Sequence, residues 1–183
     1  MIRLLLSSAL QILWVLVVVA QPEVTWVQRY AVESPIFSFG KNLNIIDMAT
    51  DEAGDIYLLG FHRSDLELDG TVVHPPYSGA QTGFLQKLSG GGEVLWYRRL
   101  TMGDMRTLAV KSGKVYVGGE IASAEYGPLL IQRDASGATR TLFADGYRDA
   151  FIARFDTEGT LEWAKAYGGA DSEFFDKGDR LNA

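Results

Sequence analysis

Asp149-Ala150-Phe151-Ile152-Ala153-Arg154-Phe155-Asp156-Thr157-Glu158-Gly159-Thr160-Leu161-Glu162-Trp163-Ala164-Lys165-Ala166-Tyr167 is the stretch that decides the fold class. It reads as two short strands, about 150–155 and 160–167, joined by Asp156-Thr157-Glu158-Gly159. Asp first and Gly last is the pattern of a type I turn followed by a left-handed Gly. Moving 67 positions back carries Phe151 onto Phe84, Gly159 onto Gly92 and Trp163 onto Trp96 without a gap. The heptads Val24 to Tyr30, Val94 to Leu100 and Leu161 to Tyr167 share an aliphatic residue two places before Trp and an apolar residue four after it. Trp26, Trp96 and Trp163, three of the four tryptophans, therefore fall in one frame. A second segment recurs at its own spacing: Gly54-Asp55-Ile56-Tyr57-Leu58-Leu59-Gly60 matches Gly113-Lys114-Val115-Tyr116-Val117-Gly118-Gly119. Such self-similarity is the signature of a repeat architecture.

Each unit reads as four strands. The first has them at about 43–50, 55–62, 82–88 and 93–100, the second at about 105–111, 114–121, 150–155 and 160–167. Outside the N-terminal segment no window keeps a period of 3.6 residues. The second strand of each unit, around Tyr57 and around Tyr116, is apolar on both alternating faces, so both faces must be covered. A sheet packed between two like sheets meets that demand. The expectation is an all-β chain of repeated four-stranded antiparallel sheets stacked radially, a partial β-propeller of about two blades plus flanking strands, with insertions at about 63–81 and 122–148.

Residues 1–20 are a different kind of text. Arg3 is the only charge, and Leu4 to Ala20 is broken only by Ser7, Ser8 and Gln11. A short positive end, an apolar run and Val18-Val19-Ala20 fit a secretory signal peptide that leaves Gln21 as the new N-terminus. Cleavage between Ala20 and Gln21 removes one Arg and no acid, so the net charge goes from −6 to −7. The domain reading is then signal helix 1–20, N-terminal strand and linker 21–42, first blade 43–103, second blade 104–167 and the start of a third at 168–183, with further blades of a longer parent chain expected.

Composition excludes several functions. The sequence has no Cys, which removes disulfides, thiolate metal sites and Cys nucleophiles. With 17 Lys and Arg against 23 Asp and Glu and no basic cluster, nucleic acid is not an expected partner. No stable membrane span is expected once the signal is cleaved; an uncleaved anchor and a buried core helix are the alternative readings of residues 1–20.

Asp149-Ala150-Phe151 with Arg154, then Asp156, Gly159, Leu161-Glu162-Trp163 and Tyr167-Gly168-Gly169, resembles the bacterial seven-bladed β-propeller repeat of exported and cell-surface proteins. The resemblance covers about residues 22–183. The first unit departs from it, with Thr82-Gly83-Phe84 in place of Asp-Ala-Phe and no Gly-Gly after Leu100. Quinoprotein-type propeller repeats, which place Gly-x-Val-Tyr-Val-Gly before a Gly-x-x-x-Trp, are a second family with similar residues. The resemblance implies a secreted, periplasmic or surface-attached protein and carries no catalytic residues.

Chemistry-bearing motifs are scarce. Asp65, Glu67 and Asp69 before Gly70 approximate the start of a calcium loop, but the twelfth position is Pro76 and the third is Glu. The same letters make a surface hairpin with Asp69-Gly70 as a two-residue turn. His62 and His74 have no motif partner. Gly90-Gly91-Gly92 joins two strands and precedes no helix, so it reads as a hairpin turn instead of a phosphate loop. Glu120 with Asp134 is one of many conceivable carboxylate pairs for glycoside hydrolysis. Trp26, Trp96, Trp163, Phe84, Phe151, Tyr57 and Tyr116 are read as core, and Gly54, Gly92, Gly113 and Gly159 as turn residues of the repeat. No cofactor is called for. The functional expectation is a binding or scaffold module for a protein or glycan, presented on variable insertions. The alternatives are a quinoprotein-like or glycosidase-type propeller enzyme and a truncated gene product with no independent role.

Overall fold

The computed structural model describes residues 31–32, 43–68, 71–75, 81–101, 103–122 and 127–169. The signal segment with Ala20 and Gln21, together with Trp26, Asp69 and nearly all of the expected third unit, lies outside the described residues. The fold is all-β and antiparallel, and neither large sheet closes into a barrel.

One sheet is built on a four-strand meander: β2 (Leu43–Thr50), β3 (Ile56–His62), β6 (Thr82–Leu88) and β7 (Val94–Thr101). The other repeats that order with β8 (Gly103–Lys111), β9 (Lys114–Ala122), β12 (Arg148–Asp156) and β13 (Leu161–Tyr167). Local turn chemistry fixes the connections. The Asp51 carboxylate accepts from the Ala53 and Asp55 amides at 3.0 Å each, and Asp156 accepts from Glu158 and Thr160 at 3.0 and 2.7 Å. At Ser89 the hydroxyl plays the same part for Gly91 and Glu93, so the Gly90-Gly91-Gly92 stretch is a hairpin turn. Gly54, Gly92, Gly113 and Gly159 all have positive φ, between 69° and 88°.

The two sheets pack face to face. Tyr57, Leu59, Leu85 and Leu100 from the first meet Val115, Val117, Phe151, Ala153 and Phe155 from the second in one buried cluster. Strands β2 and β8, each at one end of its sheet's strand order, both carry a register shift, and the Asp47 carboxylate accepts from the Leu108 amide at 2.9 Å between the sheets. Within each sheet a glycine makes room for a phenylalanine. A Cβ at Gly60 would come within 2.8 Å of the Phe84 ring, and one at Gly119 within 2.8 Å of the Phe151 ring.

Two expectations are corrected. The first sheet has six strands where four were expected: β10 (Leu129–Gln132) and β11 (Thr139–Leu142) extend it to the order β11-β10-β7-β6-β3-β2. The second insertion folds as a hairpin of these two strands, and β10 joins the free edge of β7 through Leu130↔Thr101 and Ile131↔Leu100. An open edge of unpaired amides and carbonyls accepts any extended segment brought beside it. Secondly, the outer face of the first sheet is covered by its own insertion and not by a like sheet. β4 (Leu66–Leu68) and β5 (Thr71–Val73) pair as a hairpin, and Leu66 and Leu68 pack on Leu58, Phe84 and Leu88. β1 (Ala31–Val32) pairs with β4, giving a small three-stranded sheet.

The aromatic residues read as core divide. Tyr57, Phe84 and Phe151 are fully buried, while Trp96, Trp163 and Tyr116 are half-buried. Trp96 faces the second sheet, whereas Trp163 and Tyr116 lie on the far face of that sheet with Arg154 and Ile152.

Candidate functional site

The Asp-Ala-Phe and Tyr-Gly-Gly residues come together at one end of the second sheet. Asp149 is buried, its Oδ2 accepts from the Asp145 amide at 2.8 Å, and any side chain at Gly168 would run into its carboxylate. That close approach explains why a residue without a Cβ follows Tyr167. Beside it, Glu120 is only 3% exposed and pairs with Arg148 at 2.8 Å and Arg106 at 3.2 Å, while Arg106 also reaches Asp104 at 2.7 Å. Two guanidiniums on one buried carboxylate compensate its desolvation. Asp134, considered with Glu120 as a catalytic pair, sits instead in the turn after β10, bonded to the Ser136 amide and hydroxyl. The fold assigns the two acids to separate networks.

Both insertions leave the sheets at this same end, after β3 and after β9. Here His62 is buried, with Nδ1 2.7 Å from the Ser64 carbonyl and Nε2 3.1 Å from the Tyr97 hydroxyl. Burial, aided by the nearby Arg99 charge, depresses its pKa. Phe84 stacks on Tyr97 with centroids 5.8 Å apart. His62 is thus a satisfied core imidazole. His74 is exposed and pairs with Asp65 at 2.9 Å. Of the candidate calcium ligands, Asp65 is therefore turned to His74 and Glu67 is an exposed mid-strand side chain. Leu68 pairs with Thr71, the register of a hairpin with a two-residue connection. No group of three or more His, Asp or Glu poised to hold a metal occurs among the described residues.

The opposite end carries a second polar cluster that spacing did not predict. The Lys87 ammonium pairs with Asp55 at 2.9 Å and Asp51 at 3.7 Å, lies 5.3 Å from the Tyr57 ring centroid, and donates to the Thr157 carbonyl of the other sheet at 3.4 Å. Tyr57 donates to Asp51 at 3.0 Å. Burial pushes the Tyr57 phenol up to about 12, with Asp51 adding to the rise against Lys87. Burial opposes the Lys87 charge, yet its bonds to Asp55 and Tyr57 outweigh that and raise its pKa. One ammonium thus serves two carboxylates of its own sheet, and its bond to the Thr157 carbonyl ties the cluster to the other sheet.

Lastly, a cleft of about 650 Å³ opens between β11 and β13, the outermost strands of the two large sheets. Its walls carry Arg133, Arg140, Lys165 and Trp163, with Thr139 and Thr141 beside them. The Leu161 amide donates to the Arg133 carbonyl at 2.7 Å and closes one end. Asp134-Ala135-Ser136-Gly137, with Asp first and Gly last between Leu129–Gln132 and Thr139–Leu142, is the turn signal from which this hairpin could have been read.

No family model matches the chain, and no curated protein matches it. Nothing positive indicates catalysis: Asp51, Asp55 and Lys87 line a second cleft of about 610 Å³ with Glu52, Lys111 and Thr157, but there Lys87 is engaged by both aspartates.

Proposed function

We propose that the chain is a β-propeller segment, two adjacent blades with flanking strands, exported through residues 1–20 and acting as a binding or scaffold module for a protein or glycan. One observation carries this reading. The Asp156–Gly159 turn of the second sheet is seated on Trp96 and Arg98 of the first, so that two meanders of like order stack face to face. That is the way a propeller adds one blade to the next. The inserted hairpins, which differ in length and sequence, supply the variable surface on this rigid base. The apolar run before Val18-Val19-Ala20 supports export.

The exported protein, screened on peptide and glycan arrays, should bind one ligand class saturably and reversibly, and its intact mass should begin at Gln21. Turnover of a glycoside, or of an alcohol with added quinone, would overturn the binding reading in favour of an enzyme. A mass retaining residues 1–20 would overturn export by cleavage.

A further inference from the structure

We propose that the cleft between β11 and β13 binds an acidic peptide in extended conformation by strand addition. The inference rests on the binding-module reading and gives it a ligand class. Three observations meet at this place.

The first is the backbone. β11 and β13 stand at the ends of their sheets' strand orders, so among the described residues each has a strand neighbour on one side only. The free sides border a common cleft of about 650 Å³, and the fold already uses edge addition nearby, where β10 joins β7. An extended peptide satisfies such edges through its own amides and carbonyls.

The second is charge. The chain as a whole is acidic, with 17 basic against 23 acidic residues, yet this cleft is lined by Arg133, Arg140 and Lys165 against one acid, Glu162. Glu162 is already bound by Lys114 and by Arg154 at 2.6 Å. The three lining cations are exposed, and none forms an ion pair among the described residues. Asp134, next to Arg133, is occupied by Ser136. Unpaired cations in a cleft select an anionic partner.

The third is the side-chain surface. Trp163 gives the wall an aromatic face, and Thr139 and Thr141 give β-branched positions suited to pairing across a strand. Trp163 and Lys165 stand two positions apart on one face of β13, so a strand added there with acids on alternate positions presents them along the face that holds both side chains.

The probe is a fluorescein-labelled Glu-Val-Glu-Val-Glu-Val-Glu peptide, titrated against the full chain by anisotropy. The comparison peptides have Lys for Glu, or Pro for each Val. The acidic peptide should bind and weaken as salt rises, the Lys peptide should not bind, and the Pro peptide, which loses the amide donors of alternate residues and so those along one side of the strand, should bind about tenfold more weakly or worse. Arg140→Glu should weaken binding about tenfold or more while leaving the thermal melt unchanged, and Lys165→Glu repeats the test at a second exposed position. Equal binding of the Val and Pro peptides would overturn strand addition. Stronger competition by a sulfated glycan than by the acidic peptide would overturn the peptide assignment. Absence of binding by the folded wild-type chain would overturn the site, while a ligand found on the arrays and insensitive to Arg140→Glu would leave the binding-module reading standing without it.

Discussion

The indole of Trp96 lies against the backbone of Gly159, so closely that a Cβ at position 159 would fall 2.8 Å from the ring carbon Cδ2. The indole Nε1 donates to the Thr157 carbonyl at 3.0 Å, and Arg98 Nε donates to the Gly159 carbonyl at 2.7 Å. Two residues that head equivalent pieces of neighbouring sheets thus form the lock between those sheets. Gly159→Ala should destabilise by about 2 to 4 kcal/mol, combining the left-handed φ of 75° with the clash. Gly54→Ala, at φ 86° with nothing within 4 Å of the new Cβ, should cost only about 1 kcal/mol. Urea denaturation of both variants checks the difference; equal costs would mean that the Trp96 contact is slack.

Trp96 and Trp163 occupy the same place in their sheets but not the same surroundings. Trp96 meets Tyr57 edge-on at 5.9 Å, Arg98 at 5.3 Å and the Gly159 turn. Trp163 has Arg154 over its ring at 5.3 Å and lies on the far face of its sheet. Trp96→Ala should cost about 3 kcal/mol and Trp163→Ala about 1 kcal/mol. A larger loss at Trp163 in denaturant titrations would show that its face is covered in solution.

Acid should weaken the fold through His62. Its folded pKa lies below the unfolded value, so the unfolded chain binds the proton more readily. The stabilisation from the neutral imidazole is complete above about pH 6.5 and is lost as the pH falls below that value, by at most about 1.4 kcal/mol per pH unit for one proton. Thermal melts from pH 7 down to 5 should fall in wild type and fall less in His62→Gln. Parallel slopes in the two proteins would assign the acid sensitivity elsewhere.

Lys87 holds two carboxylates of its own sheet and reaches the other sheet through the Thr157 carbonyl. Lys87→Met removes the partner of Asp55 and Asp51, whose side chains are 23% and 13% exposed, and leaves the Thr157 carbonyl without this donor. Partial solvent access reduces the cost below that of a fully buried pair, to about 2 to 3 kcal/mol. Combining Lys87→Met with Asp55→Asn should recover part of that loss in a double-mutant cycle, and strict additivity would argue against direct coupling.

Much of the strand pattern was legible in the residues alone. β2 and β6 run from Leu43 to Thr50 and from Thr82 to Leu88, the limits that periodicity and turn residues gave, because alternation and Asp-to-Gly turns act over a few residues of the same chain. The apolar character of Tyr57, Leu58 and Leu59 likewise announced a strand covered on both faces. What covers those faces was a tertiary decision. Leu58 meets the inserted hairpin and not a second sheet, since any apolar surface within reach satisfies the same burial. The addition of β10 to β7 rests on backbone donors and acceptors that every residue carries, so no side chain signalled it. The Lys87 cluster and the cation-lined cleft have the same origin: Thr157 lies 70 positions from Lys87, and Arg140 and Lys165 are distant in the chain, joined by sheet stacking alone. Local order was written in residue type and spacing, while the neighbours of each surface were chosen by packing, which selects by shape and reach across the whole fold.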